Sequence, residues 1–126
     1  MSSGKIFSYE EAASLVEEVR ETTRRADERM LALRAHQERA TPGTARATKL
    51  KEWINTVIQT WAQEIEAIGA LPKGLWTVDF DSGQGYYYCW SLNEDALGHY
   101  HHYHEGFSNR KPLSDLGIQP ISAVLN

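Results

Sequence analysis

Apolar residues recur three or four positions apart over the first part of the chain, the spacing that places side chains on one face of a helix. The pattern predicts a first helix over residues 8–39, opened by a capping box between Ser8 and Glu11. The same positions follow a heptad, as in a coiled coil. Several residues of this stripe are small or hydroxylated, so the helix needs a partner that covers it. The stripe comprises Ala12, Val16, Val19, Thr23, Ala26, Met30 and Leu33.

A second and richer apolar stripe predicts a helix over residues 44–69. The Pro42-Gly43 turn signal precedes it, and Gly69 with Pro72 ends it. Two long helices joined by a short turn fold back as an antiparallel hairpin. The second helix carries more apolar surface than the first can cover, so we expect the C-terminal part or a second chain to cover the rest: Leu50, Trp53, Ile54, Val57, Trp61, Ile65 and Ile68.

The apolar period changes to two after the second helix, which is typical of strands. A β-hairpin is predicted over residues 75–91, with its turn in the cluster Asp81-Ser82-Gly83-Gln84-Gly85. Because side chains alternate between faces, Asp79 and Cys89 share the face opposite Trp76 and Trp90. One hairpin is only marginally stable in water, so this hairpin must pack against the helices.

The last part of the chain carries four of the five histidines. Asn93 followed by two acidic residues is typical of a helix start, and it predicts a short helix over residues 94–105 with an extended tail over 106–126. The predicted fold class is α+β and mainly helical: a long antiparallel helical hairpin with a packed β-hairpin and a short C-terminal helix, in one domain over residues 1–126.

Composition excludes some classes of function. The chain has 126 residues, a formal net charge of −4 and one cysteine. A weakly acidic chain argues against general nucleic-acid binding, although basic residues around the helical-hairpin turn form either an anion or nucleic-acid contact or a solvated patch. A single cysteine, the absence of a signal-peptide core and the absence of a long apolar run predict a cytoplasmic protein that is not membrane-bound. The basic residues are Arg39, Arg46, Lys49 and Lys51.

The histidine-rich segment is the main candidate for chemistry. On a helix, His104 and Glu105 lie three and four positions after His101 and share its face. Imidazoles with a carboxylate are good ligands for zinc or another divalent transition metal, and Cys89 or Asp79 from the β-hairpin would complete the set. His101 has two further interpretations, as a buried histidine bonded to Asp79 or a tyrosine hydroxyl, and as an acid-base catalyst.

Three other side chains near this segment are candidates for ligand contacts. Arg110 is either a clamp for an anion or the partner of a salt bridge to Asp79 or Glu105. Asp79 and Tyr88 come from the predicted hairpin, where the aromatic residues form either a core or a ligand cage. No combination of nucleophile, base and orienting group is apparent, nor any glycine-rich phosphate loop, so an enzymatic activity is not favoured.

A family resemblance runs through the same residues. It is carried by Val78-Asp79-Phe80, Tyr87-Tyr88-Cys89-Trp90, Tyr100-His101, Gly106-Phe107 and Arg110-Lys111-Pro112-Leu113, with Phe7-Ser8-Tyr9-Glu10-Glu11-Ala12 at the first helix. From about Lys5 to Leu113 the chain resembles the uncharacterised prokaryotic family catalogued as domain of unknown function 2203. The resemblance implies a helical hairpin and no established activity. His101 matches the family's histidine, whereas His99 and His104 are additions to its pattern.

Two functions from different classes remain. The first is binding of a divalent metal or a small ligand at the histidine-rich corner near His101. The second is a helical-hairpin homodimer or adaptor that contacts a protein partner through the second helix, because such exposed apolar surface is common in obligate interfaces. 

Overall fold

The computed structural model describes residues 5–121 and begins with three helices. Helix α1 spans Tyr9–Ser14, α2 spans Val16–Arg39 and α3 spans Ala45–Ile68. The predicted capping box is confirmed, since the Ser8 hydroxyl accepts from the Glu11 amide and the Glu11 carboxylate accepts from the Ser8 amide. The predicted first helix is divided at Leu15, so that α1 forms a short separate turn before α2.

Helices α2 and α3 form the predicted antiparallel hairpin. The Thr44 side chain caps the start of α3, and Gly69 ends it in the left-handed conformation with a φ of 101°. The Trp61 indole donates to the Thr23 hydroxyl at 2.9 Å, which ties the two helices together inside the core. Among residues 5–121, no helix is long and apolar enough to cross a membrane.

The remaining chain forms one antiparallel sheet whose five strands follow each other in sequence order. The predicted β-hairpin is the pair β2 and β3, and the sheet adds one short strand before it and two after it. The strands are β1 Leu71–Pro72, β2 Thr77–Asp81, β3 Tyr86–Ser91, β4 His99–His102 and β5 Lys111–Pro112.

The predicted helix over residues 94–105 is wrong, because His99, His101 and His102 lie on strand β4 and His104 lies in the turn after it. Asn93 does not cap a helix but turns the chain with a φ of 85°. The free edge of β3 then pairs with β4, which places Tyr100 opposite Tyr88. Among its described residues, the predicted tail contains strand β5 and two 3₁₀ turns, Phe107–Asn109 and Leu113–Leu116, and its residues 122–126 lie outside the described chain.

The two faces of the sheet differ in chemistry. The helix-facing side chains join the hydrophobic core and comprise Val78, Phe80, Tyr88, Trp90 and Tyr100. Asp79, Cys89 and His101 alternate with them and so lie on the other face. That other face is covered by the segment after β4, since Glu105 and Phe107 line one cavity together with Asp79 and His101.

Candidate metal centre

Three ligand-type side chains converge on the face of the sheet that points away from the helices. Asp79 on β2 lies opposite Cys89 on β3, and His101 on β4 lies opposite Tyr87, two residues earlier on β3. Asp79 and His101 therefore reach towards each other over β3 at the position of the small Cys89 side chain. One ligand atom from each of the three residues lies within 4.8 Å of the others.

The hydrogen bonds of His101 fix the orientation of its ring. Nδ1 lies 3.0 Å from the carbonyl oxygen of His102. A carbonyl oxygen only accepts, so Nδ1 carries a hydrogen and donates it. Nε2 faces Oδ2 of Asp79 at 3.0 Å. The nitrogen that faces Asp79 is therefore the one available to a metal ion.

Burial makes this arrangement costly, because one carboxylate oxygen of Asp79 has no partner. Asp79, Cys89 and His101 are 1%, 0% and 3% exposed. Oδ1 of Asp79 is buried and has no hydrogen-bond partner, while Oδ2 has His101 and, at 3.7 Å, the Lys73 ammonium. Buried polar atoms in folded proteins nearly always have partners, so an unpartnered carboxylate oxygen points to a missing ligand.

The Cys89 thiol is protonated in the metal-free site. Burial raises its pKa far above the ordinary value, and the neighbouring Asp79 carboxylate raises it further, while Arg110 acts in the opposite direction. This thiol is therefore a poor nucleophile. If Cys89 held a metal ion, its thiol would bind as the thiolate, because coordination favours loss of the thiol proton.

The distances suit a tetrahedral metal ion after small side-chain movements. Zinc bonds of about 2.0–2.3 Å to nitrogen, oxygen and sulfur place neighbouring ligands roughly 3.4–3.6 Å apart. The observed Nε2–Oδ2 distance of 3.0 Å is slightly shorter, and the widest separation within the group is below 4.8 Å. One nitrogen, one oxygen and one sulfur ligand form a mixed set that zinc and similar divalent ions accept.

A cavity of about 370 Å³ opens onto this group. Asp79 and His101 belong to its lining, whereas Cys89 does not. Two of the three side chains that would hold a metal therefore border a space that a water or a small ligand could enter. The lining residues are Lys73, Gly74, Leu75, Thr77, Asp79, Ser91, His101, Glu105, Gly106 and Phe107.

The structure does not place His104 with His101, and it separates Glu105 from the three converging side chains. The helical spacing that grouped these residues does not apply to a strand. The His104 ring stacks on His102 with centroids 6.0 Å apart. Glu105 lines the cavity, but its carboxylate accepts from the His102 amide at 3.1 Å, and this bond lowers its pKa.

Arg110 makes a salt bridge, but with neither predicted partner. Its guanidinium pairs with both carboxylate oxygens of Glu94, at 3.1 and 2.8 Å. It also lies 4.0 Å from the centre of the Phe107 ring, which it holds at the rim of the cavity. Tyr88, the other predicted ligand contact, lies on the helix-facing side with its ring 5.8 Å from Tyr9. Tyr88 is therefore core, as one of the two interpretations of the aromatics predicts.

Two residues of the cavity could not be singled out from the residue pattern. Lys73 lies in the loop between β1 and β2, where no periodicity marks it, and its ammonium lies 4.9 Å from the centre of the Tyr87 ring. Phe107 belongs to the Gly-Phe pair of the family resemblance, which was the only signal for it.

Comparison with known proteins gives a family but no activity. The family model described as an uncharacterized conserved protein, DUF2203, matches residues 5–113. This range includes all five strands and the three converging side chains. No curated protein and no solved structure matches the chain.

Proposed function

This chain belongs to the uncharacterized conserved protein family DUF2203, and we propose that it binds one divalent transition metal ion, zinc foremost, through Asp79, Cys89 and His101. The observation that carries the proposal is the convergence of three buried ligand atoms within 4.8 Å. The unpartnered Oδ1 of Asp79 supports it, because a metal ion would supply the missing partner.

The backbone contact of His101 is the second support. Histidines that ligate metals usually donate their other ring hydrogen to a carbonyl or carboxylate, which orients the ring and makes the ligating nitrogen more basic. The Nδ1 of His101 donates in this way to the His102 carbonyl. Nε2 is thereby directed at Asp79, where the metal would lie.

The proposed site suits a metal that also binds a small molecule better than it suits a purely structural metal. Closed structural zinc sites have four protein ligands, whereas sites with three leave one position for water or another small molecule. Three protein ligands are present among residues 5–121, and the cavity lies in front of two of them. We therefore assign the protein a metal-dependent ligand-binding function.

Elemental analysis of protein purified without a histidine tag tests this function. We expect about one metal ion per chain in the wild type and a loss of at least tenfold in metal affinity in His101→Ala, because one of three ligands is removed. His104→Ala is the matched control, since it removes an exposed histidine from the same segment. Substoichiometric metal in the wild type, or equal metal in His101→Ala, would contradict the proposal.

A second candidate function is self-association through helix α3. Trp53 on α3 is 51% exposed, although it lies next to the buried Ile54. Light scattering at micromolar concentration would then give a dimer that Trp53→Lys converts to a monomer and that His101→Ala leaves intact. A monomeric wild type would exclude this candidate, and loss of the dimer in His101→Ala would locate the interface elsewhere.

A further inference from the structure

The walls of the cavity divide into a charged part and an apolar part. The floor is formed by Asp79 and His101, and the Lys73 ammonium lies 3.7 Å from the Asp79 carboxylate. The rim carries Leu75 and Phe107, which are 48% and 51% exposed. A single small molecule inside the cavity would therefore meet both a cation and apolar surface.

Lys73 is the cation in this wall that would lose its carboxylate partner if a metal bound there. Glu105 already accepts from a backbone amide and lies 3.5 Å from Lys111, so its charge is balanced. The only carboxylate within salt-bridge distance of Lys73 among the described residues is Asp79. If Asp79 held a metal ion, its carboxylate charge would be offset by the metal, and the Lys73 ammonium could then attract an anion from solution.

At the apolar rim, the Phe107 ring packs against an ion pair. The Arg110 guanidinium lies against the Phe107 ring at 4.0 Å, and Glu94 holds the guanidinium through two hydrogen bonds. The ring therefore has a fixed support although half of its surface is exposed. Fixed exposed apolar surface beside a few convergent polar groups is typical of small-molecule sites, and the cavity of about 370 Å³ falls in their size range of roughly 300–1,000 Å³.

We propose that this cavity binds a small organic carboxylate with an apolar body. The proposal rests on the metal site described above. One carboxylate oxygen would bind a metal held by Asp79, Cys89 and His101, the Lys73 ammonium would pair with the carboxylate, and the apolar body would contact Leu75 and Phe107. Carboxylate oxygens bind zinc and pair with ammonium groups, whereas a neutral amide lacks the charge for the second contact.

Titrations of the cobalt-loaded protein with phenylacetate, acetate and phenylacetamide test the proposal. The visible absorption of cobalt reports any new ligand at the metal, independently of an activity. We expect phenylacetate to change the spectrum at lower concentration than acetate, and phenylacetamide to leave it unchanged. Lys73→Met should weaken phenylacetate binding by up to about fivefold, the equivalent of one half-exposed ion pair. Lys49→Met, which removes a lysine near the start of α3 and outside the cavity lining, is the control.

The outcomes separate this proposal from the metal site itself. A cobalt spectrum that no carboxylate changes would overturn the carboxylate proposal and leave metal binding intact. Equal affinity for phenylacetate and acetate, or no effect of Lys73→Met, would overturn the assigned roles of the rim and the lysine. If cobalt gives no thiolate spectrum at all, both the metal site and the carboxylate proposal fall together.

Discussion

Both faces of the sheet carry buried side chains, but for different reasons. On the helix-facing side, aromatic rings pack edge to face, as Phe80 does on Phe7 at 5.4 Å and Tyr88 on Tyr9 at 5.8 Å. Such pairs stabilise the fold beyond the area they bury. On the other side, Asp79 and His101 are buried as a polar pair, with one carboxylate oxygen left unpartnered. Burial of this pair costs stability unless a cation completes it.

The contrast separates the residues that stabilise the fold from the residues that form the proposed binding site. Neighbouring residues of β2 belong to opposite sides, since Phe80 fills the core and Asp79 faces the cavity. The strand is thus fixed by its apolar positions, and its polar positions are held rigidly as a result. A binding site on such a strand has well-defined geometry without contributing to the folding that positions it.

Substitutions of Phe80 and Asp79, which are neighbours on β2, should give the largest difference in the free energy of unfolding. Phe80→Ala should lower the free energy of unfolding by about 3–5 kcal/mol, because it leaves a cavity in the core. Asp79→Asn should lower it by about 1 kcal/mol or less, because the amide can donate to Nε2 of His101. Urea denaturation of the metal-free variants measures both values. An equal loss in both would show that the polar face stabilises the fold as strongly as the core does.

Zinc bound on the polar face of the sheet should raise the free energy of unfolding. A ligand present at one hundred times its dissociation constant raises the free energy of unfolding by about 2.7 kcal/mol when it binds only the folded state. We expect this increase in the wild type and its loss in Cys89→Ser, measured by urea denaturation with and without zinc. A similar increase in both proteins would place the bound zinc away from Cys89.

Loss of the salt bridge at the edge of the cavity should have a smaller effect. Glu94→Gln removes the charge that holds Arg110, whose side chain is 13% exposed, and we expect a loss of about 1–2 kcal/mol. Thermal unfolding measures this loss, and the cobalt spectrum of the variant should keep its thiolate absorption. Disappearance of that absorption would mean that the Glu94–Arg110 pair positions Cys89 as well as Phe107.

The smallest effect is expected within the histidine-rich segment itself. His104→Ala should change the free energy of unfolding by less than about 0.5 kcal/mol, because the side chain is exposed and lies outside the cluster. Its metal content should equal that of the wild type. A loss of metal in this variant would restore His104 as a ligand, as the helical prediction had it.

The site was predictable where its residues follow a local period. The alternation around Asp79 and Cys89 placed both on the face opposite Trp90, and the strand register confirms this placement. The same reasoning failed for His104 and Glu105, because it assumed a helix. Asn93 and its acidic neighbours satisfy the local rules for a helix start, but the free edge of β3, an interaction distant in sequence, selects a strand instead.

Other features of the site could not be predicted because they depend on contacts between residues that are distant in sequence. Arg110 pairs with Glu94 across a turn and a strand, and no spacing rule relates two such positions. Lys73 reaches Asp79 from a loop whose path depends on the packing of the sheet against α3. The helical hairpin was predictable because its apolar stripes are long and its turn is short.

A cobalt titration of metal-free, untagged protein tests the central claim most directly. Cobalt bound by Cys89 should give thiolate-to-metal absorption that saturates at one ion per chain, and this absorption should be absent in Cys89→Ser and strongly weakened in His101→Ala. His104→Ala should behave as the wild type. A wild-type protein that shows no thiolate absorption, or one whose absorption persists in Cys89→Ser, would contradict a metal centre at Asp79, Cys89 and His101.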